Sequence, residues 1–195
     1  ISLAKFNLGK EIKNNNLAAG IVEGANFISS ALIIMAILIW AEPVDSEGLK
    51  ILIVAYFISQ FILTITAYVW QSLFSKSKKS SATSFQDEIK NGNVAVAIDF
   101  FGKRIATALA INIATTLLAY QSLLSITTLF KEWVLVSIMS IILLQGFAFI
   151  ASRVIIATDK GNSTSEKISG GCIPTAIISA SIYIAFGIIL DQILI

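Results

Sequence analysis

Histidine is missing from all 195 residues of the chain. That removes the usual proton shuttle and the commonest protein ligand of zinc, copper and haem. The only cysteine is Cys172. It excludes an internal disulfide and any CxxC site. Charge is scarce as well: 13 % of residues are Asp, Glu, Lys or Arg, against about 25 % in an ordinary soluble domain. The net charge of +2 is too small to argue for nucleic acid. With 2 Pro and 11 Gly the chain is neither collagen-like nor disordered by composition. There is no GxxxxGK[ST] loop, no GxSxG elbow and no HExxH helix. An enzyme is therefore the least supported class, and no cofactor or metal site is expected.

What is abundant is apolar sequence, at 56 %. Five runs each reach the roughly 20 residues that a helix needs to cross a bilayer. They are Leu17–Ala41, Leu49–Phe74, Val94–Ala119, Trp133–Ala157 and Cys172–Ile195. In hydrocarbon each backbone N–H and C=O must be paired within its own segment, so each run is expected to be α-helical. None shows the strict alternation of a barrel strand. Five such runs leave too little polar sequence to cover them in water. The first run is too long for a signal peptide and lies behind a mixed leader. The expected architecture is all-α, with five transmembrane helices in a single polytopic domain over 1–195.

Basic residues sort by loop. The leader carries Lys5, Lys10 and Lys13, and the second connection between runs carries Lys76, Lys78, Lys79 and Lys90. The first connection is acidic (Glu42, Asp45, Glu47), the third holds only Lys131, and the last carries Lys160 and Lys167. The positive-inside rule then puts the N-terminus in the cytoplasm and the C-terminus on the opposite side. Trp40, Trp70 and Trp133 fall near run ends, where an aromatic belt is expected. Two further stretches, Gln121–Trp133 and Ile1–Ile12, have the spacing of interfacial helices.

A polar motif recurs. Glu11–Ile34 and Glu88–Ile111 match without a gap at 11 of 24 positions, including Ile12-Lys13-Asn14 against Ile89-Lys90-Asn91. A weaker copy starts near Glu166. The copies, near 11, 88 and 166, enter successive helices from one side, which implies parallel two-helix repeats. Asn14, Asn16, Asn91 and Asn93 precede long helices and are expected to act as N-caps. Gln60 and Gln145 sit in the middle of the second and fourth runs, where an amide serves as interhelical glue.

The doubled Ile-Lys-Asn-x-Asn-x-Ala motif is similar to the tandem signature of the YjfL-like uncharacterised bacterial inner-membrane family, domain of unknown function 350. The likeness is carried by the copies at Ile12–Ala19 and Ile89–Ala95, and loosely by the third. It implies a helical protein of the bacterial inner membrane, or of a bacterially derived organelle membrane. It also implies three helix pairs, with a sixth helix upstream of Ile1. No catalytic residue follows from it.

Four ionisable residues lie inside runs: Glu23 in the first, and Asp99, Lys103 and Arg104 in the third. Lys103 and Arg104 lie roughly 14 Å along their helix, at 1.5 Å per residue. An unpaired charge at such depth costs about 2.5–3.5 kcal/mol or more. Asp99 and Lys103 are four apart and share a helix face. Arg104 points elsewhere, and Glu23 is the remaining acid, so an ion-pair cluster with a Glu23–Arg104 contact is expected, joined by Asn26. Such a cluster is read first as a clasp. The expected function is a non-catalytic accessory or scaffold subunit in a lipid bilayer, packed against other membrane proteins or its own copies. The alternative is a small ion or solute transporter or channel using the four charges. Any bound lipid or pigment is left open.

Overall fold

The computed structural model of the chain describes residues 7–41, 46–77, 84–118, 126–156 and 163–193. Every regular element among them is helical, in the order α1 (Leu8–Lys13), α2 (Leu17–Ala41), α3 (Ser46–Ser77), α4 (Phe85–Lys90), α5 (Val94–Leu117), α6 (Ile126–Ile156), α7 (Thr164–Ser169) and α8 (Ile173–Ile193). Four of them, α2, α3, α6 and α8, are long and apolar enough to cross a membrane. The expectation of five such helices is met in these four. The fifth, α5, has the length, but Asp99, Lys103 and Arg104 crowd its first half.

Three short helices each lead into a long one through the same backbone device. Asn7, Ser84 and Ser163 cap α1, α4 and α7 by accepting the N–H of the residue three positions on. Each short helix then ends at a residue with positive φ: Asn15 (61°), Gly92 (80°) and Gly171 (84°). That left-handed conformation is open to glycine and tolerated by asparagine, which is why these types stand there. The long helix starts two residues later. Asn16 accepts from the Ala19 N–H at 3.1 Å, and Asn93 from the Val96 N–H at 3.3 Å. Asn14 and Asn91 do not take the expected N-cap role. They close α1 and α4 as C-caps, because the short helices upstream claim them first.

The centre of the molecule is α5. It packs along α2 on one side and α8 on the other, with α6 and α3 completing its surround. Small residues allow this. An added Cβ on Gly102 would lie 2.3 Å from the Ala180 Cα of α8, and one on Gly187 would lie 3.3 Å from the Ala106 Cα of α5. In lipid, association rests on close backbone approach of this kind. Outward faces of α3 and α6 instead carry exposed Phe57, Phe61, Ile142 and Ile150, as lipid-compatible helices do.

Two expectations are corrected. The segment expected to lie in the interface as Gln121–Trp133 becomes, from Ile126 onward, the first turns of α6; its residues 121–125 lie outside the described residues, as do residues 1–6 of the leader. The tryptophans do not form an outer belt. Trp40 is 6 % and Trp133 0 % exposed, and they stack with centroids 6.3 Å apart. The Trp40 Nε1 donates to the Leu118 carbonyl, fastening the end of α2 to the end of α5. Trp70 also turns inward, towards Lys103.

Candidate functional site

The charged residues of α5 define the site. One helical turn separates Asp99 from Lys103, and the Lys103 Nζ donates to the Asp99 Oδ2 at 2.6 Å. The other carboxylate oxygen accepts from the Ser179 Oγ of α8 at 2.7 Å. Both oxygens of Asp99 are therefore engaged, as a buried carboxylate requires. The ammonium lies 4.5 Å from the centre of the Trp70 ring and 5.3 Å from that of Tyr183. Those contacts add cation–π attraction of about 0.5–2 kcal/mol each in a desolvated setting. Trp70 belongs to α3 and Tyr183 to α8, and the two rings meet edge to face at 5.5 Å. The pair thus ties α3, α5 and α8 together at one level.

Arg104 faces the other way, as the 100° step per residue dictates. Its Nη1 donates to the Leu63 carbonyl of α3 at 2.6 Å. A helical carbonyl has a second lone pair for such a donor. The Arg104 Nε is buried without a hydrogen-bond partner. Glu23 does not reach Arg104. It accepts from the Asn26 Nδ2 at 3.2 Å on its own helix, and the acid that pairs with a base inside α5 is Asp99, with Lys103. A backbone carbonyl as the partner of Arg104 leaves no trace in the sequence, because any residue type supplies one. Asn26, expected near Lys103, belongs instead to a second polar stripe on α2. Ser30 extends that stripe and meets the Gln60 of α3 at 3.1 Å. Gln60 therefore bridges helices, whereas both amide atoms of Gln145 are buried without a partner among the described residues.

At the motif end, Asn16 and Asn93 do more than cap. The Asn16 Nδ2 donates to the Ile89 and Lys90 carbonyls that end α4, at 3.0 and 3.2 Å. The Asn93 Nδ2 donates to the Ser169 carbonyl that ends α7, at 2.9 Å, and to the Glu88 carboxylate at 2.9 Å. Each asparagine thus locks the start of one long helix to the end of the next short one. Asparagine alone among the good caps carries both an acceptor and two donors. Cys172 holds the matching place before α8, with its Sγ 3.0 Å from the Thr175 Oγ1. That hydrogen bond, with help from Lys167, holds the thiol below its usual range.

A cavity of about 360 Å³ adjoins the ion pair. Its walls come from the ends of α3 and α6, the start of α7, and the Asp99/Lys103 and Ser179/Tyr183 faces of α5 and α8. A second, 20 Å³ void touches Asp99 and Lys103 from the side of Phe85 and Phe100. No group of His, Cys, Asp and Glu suited to a metal occurs among the described residues.

Against known proteins, residues 44–194 match the model of one family, Domain of Unknown Function (DUF350). The match covers most of the chain, and the protein belongs to that family. It spans α3 to α8 and starts after Ile12–Ala19. No curated protein and no solved structure matches the chain.

Proposed function

We propose that this member of the DUF350 family is a non-catalytic subunit of a bacterial inner membrane, packing against other membrane proteins. In this reading α5 is a fifth span, and the three short-helix–long-helix units are parallel repeats with their motif ends in the cytoplasm. The observation that carries the proposal is the way α5 uses its charges. Asp99 is closed by Lys103 and Ser179, and Arg104 by a carbonyl. These groups clasp α3, α5 and α8 instead of lining an open polar column. A rigid clasped bundle with apolar outer faces suits lateral assembly.

The test is photo-crosslinking in native membranes from probes at Phe57 and Ile142, followed by purification and mass spectrometry. A stoichiometric foreign membrane protein at either probe supports the proposal. Recovery of lipid adducts alone removes it. A transporter is the second reading, favoured by the cavity against Asp99 and Lys103. Under that reading the paired replacement D99N/K103M abolishes solute flux in proteoliposomes, while under the subunit reading assembly is retained.

A further inference from the structure

The cavity beside α5 has walls of unequal chemistry. Its acceptor, Asp99, is consumed by Lys103 and Ser179. The nearby Glu166 carboxylate is likewise tied to the Ser163 N–H at 2.8 Å. What remains is a surplus of donors. The Ser152 hydroxyl and the Trp70 indole N–H are enclosed without a hydrogen-bond partner. Lys103 has spent one of its three ammonium protons on Asp99. Arg153 also lines the cavity; its guanidinium stacks 4.7 Å from the Phe149 ring, and no carboxylate among the described residues pairs with it. Taking Lys103 and Arg153 against Asp99, the wall carries one net positive charge.

Buried donors left unmade are costly, and a native site normally satisfies them. The volume, about 360 Å³, is far above the roughly 10–15 Å³ that one water requires. A cation would face Arg153, and an apolar guest would leave the donors unmet. Leu73, Phe74 and Phe149 supply an apolar flank on the same cavity. Its position at the ends of α3 and α6 is where basic loops border the greasy runs, at headgroup depth in the proposed orientation.

We infer that this cavity binds the phosphate ester of an anionic amphiphile, with Arg153, Lys103, Ser152 and Trp70 donating to the phosphate oxygens. Arginine is the natural partner for such an oxyanion because its planar fork donates twice. The site stands apart from both readings of function above, since a subunit or a transporter could hold it.

The test uses the full chain, purified in detergent and stripped of lipid. Native mass spectrometry then reads the binding of phosphatidylglycerol, phosphatidylcholine and soluble glycerol 3-phosphate. Phosphatidylglycerol is expected to bind at least about tenfold more tightly than phosphatidylcholine, with R153Q removing most of that ratio and S152A weakening both lipids alike. K131Q, a charge removed from the opposite end of the bundle, is expected to change nothing. If glycerol 3-phosphate binds alone and competes, the phosphate site holds with a soluble ester as its source. If it does not compete, the source is lipid. Equal binding of the two lipids, with no binding of glycerol 3-phosphate, overturns the inference. So does an unchanged ratio in monodisperse R153Q, undiminished binding of both lipids in S152A, or an equal loss in K131Q.

Discussion

The Asp99–Lys103 pair lends itself to a quantitative test. Its charges sit 2.6 Å apart, with side chains 7 % and 18 % exposed. At an effective dielectric of about 20, that separation gives a Coulomb attraction of roughly 6 kcal/mol, much of it offset by lost hydration. Removing one partner strands the other. K103M leaves a carboxylate with Ser179 as its remaining donor, and is expected to cost about 3–5 kcal/mol. D99N leaves an ammonium against Trp70 and Tyr183, whose rings recover part of the loss, so about 3 kcal/mol is expected. The double variant D99N/K103M strands no charge and is expected to cost only about 1 kcal/mol, since neutral replacements of a buried pair are often tolerated. Stability in bicelles, read by steric trapping, supplies the double-mutant cycle. The expected coupling, the two single costs less the double, is about 5–7 kcal/mol. Additive single costs, or a harmless D99N, would refute the view that the pair is a closed, desolvated unit.

Gly102→Ala is expected to destabilise the bundle by about 1–3 kcal/mol or more, because its Cβ would meet the Ala180 backbone. Gly20→Ala, with nothing near its added Cβ, should gain about 0.5–1 kcal/mol from helix propensity; thermal unfolding in detergent separates the two. Asn93→Ala should cost about 1–3 kcal/mol. Asn93→Asp keeps the acceptor for Val96 but loses the donor to Ser169, so hydrogen exchange should rise at α7 in both variants while the start of α5 frays only in the alanine one. The Cys172 thiol is held low by Thr175 and Lys167, so its alkylation rate should climb with pH through a midpoint below that of free cysteine, about 8.5. A membrane-impermeant maleimide should reach it in inside-out vesicles and not in right-side-out ones; the reverse pattern would invert the proposed orientation.

Much of the helical pattern is written in composition. Leu17–Ala41 became α2 residue for residue, because an apolar run of that length has one way to satisfy its backbone in lipid. The pairing of Asp99 with Lys103 follows from four-residue spacing alone. The short helices were less visible, since six residues carry little periodicity. Their signature was in plain sight as Ser84-x-x-Asp87 and Ser163-x-x-Glu166, two capping boxes. The missed partner of Arg104 was a main-chain carbonyl, which leaves no mark on the sequence.

The sequence by itself determined the membrane-length helices, the turns at Asn15, Gly92 and Gly171, and the need to neutralise charge in the third run. These are local demands, set by backbone satisfaction and desolvation within a few residues of one another. Only the tertiary structure decided that α5 lies between α2 and α8, that Asn16 and Asn93 reach α4 and α7, and that the tryptophans face inward. It also decided which groups enclose the cavity beside Lys103. Those outcomes depend on which surfaces fit at van der Waals distance, as Gly102 fits Ala180. Such a fit arises between segments about 80 positions apart, where no local pattern specifies the partner.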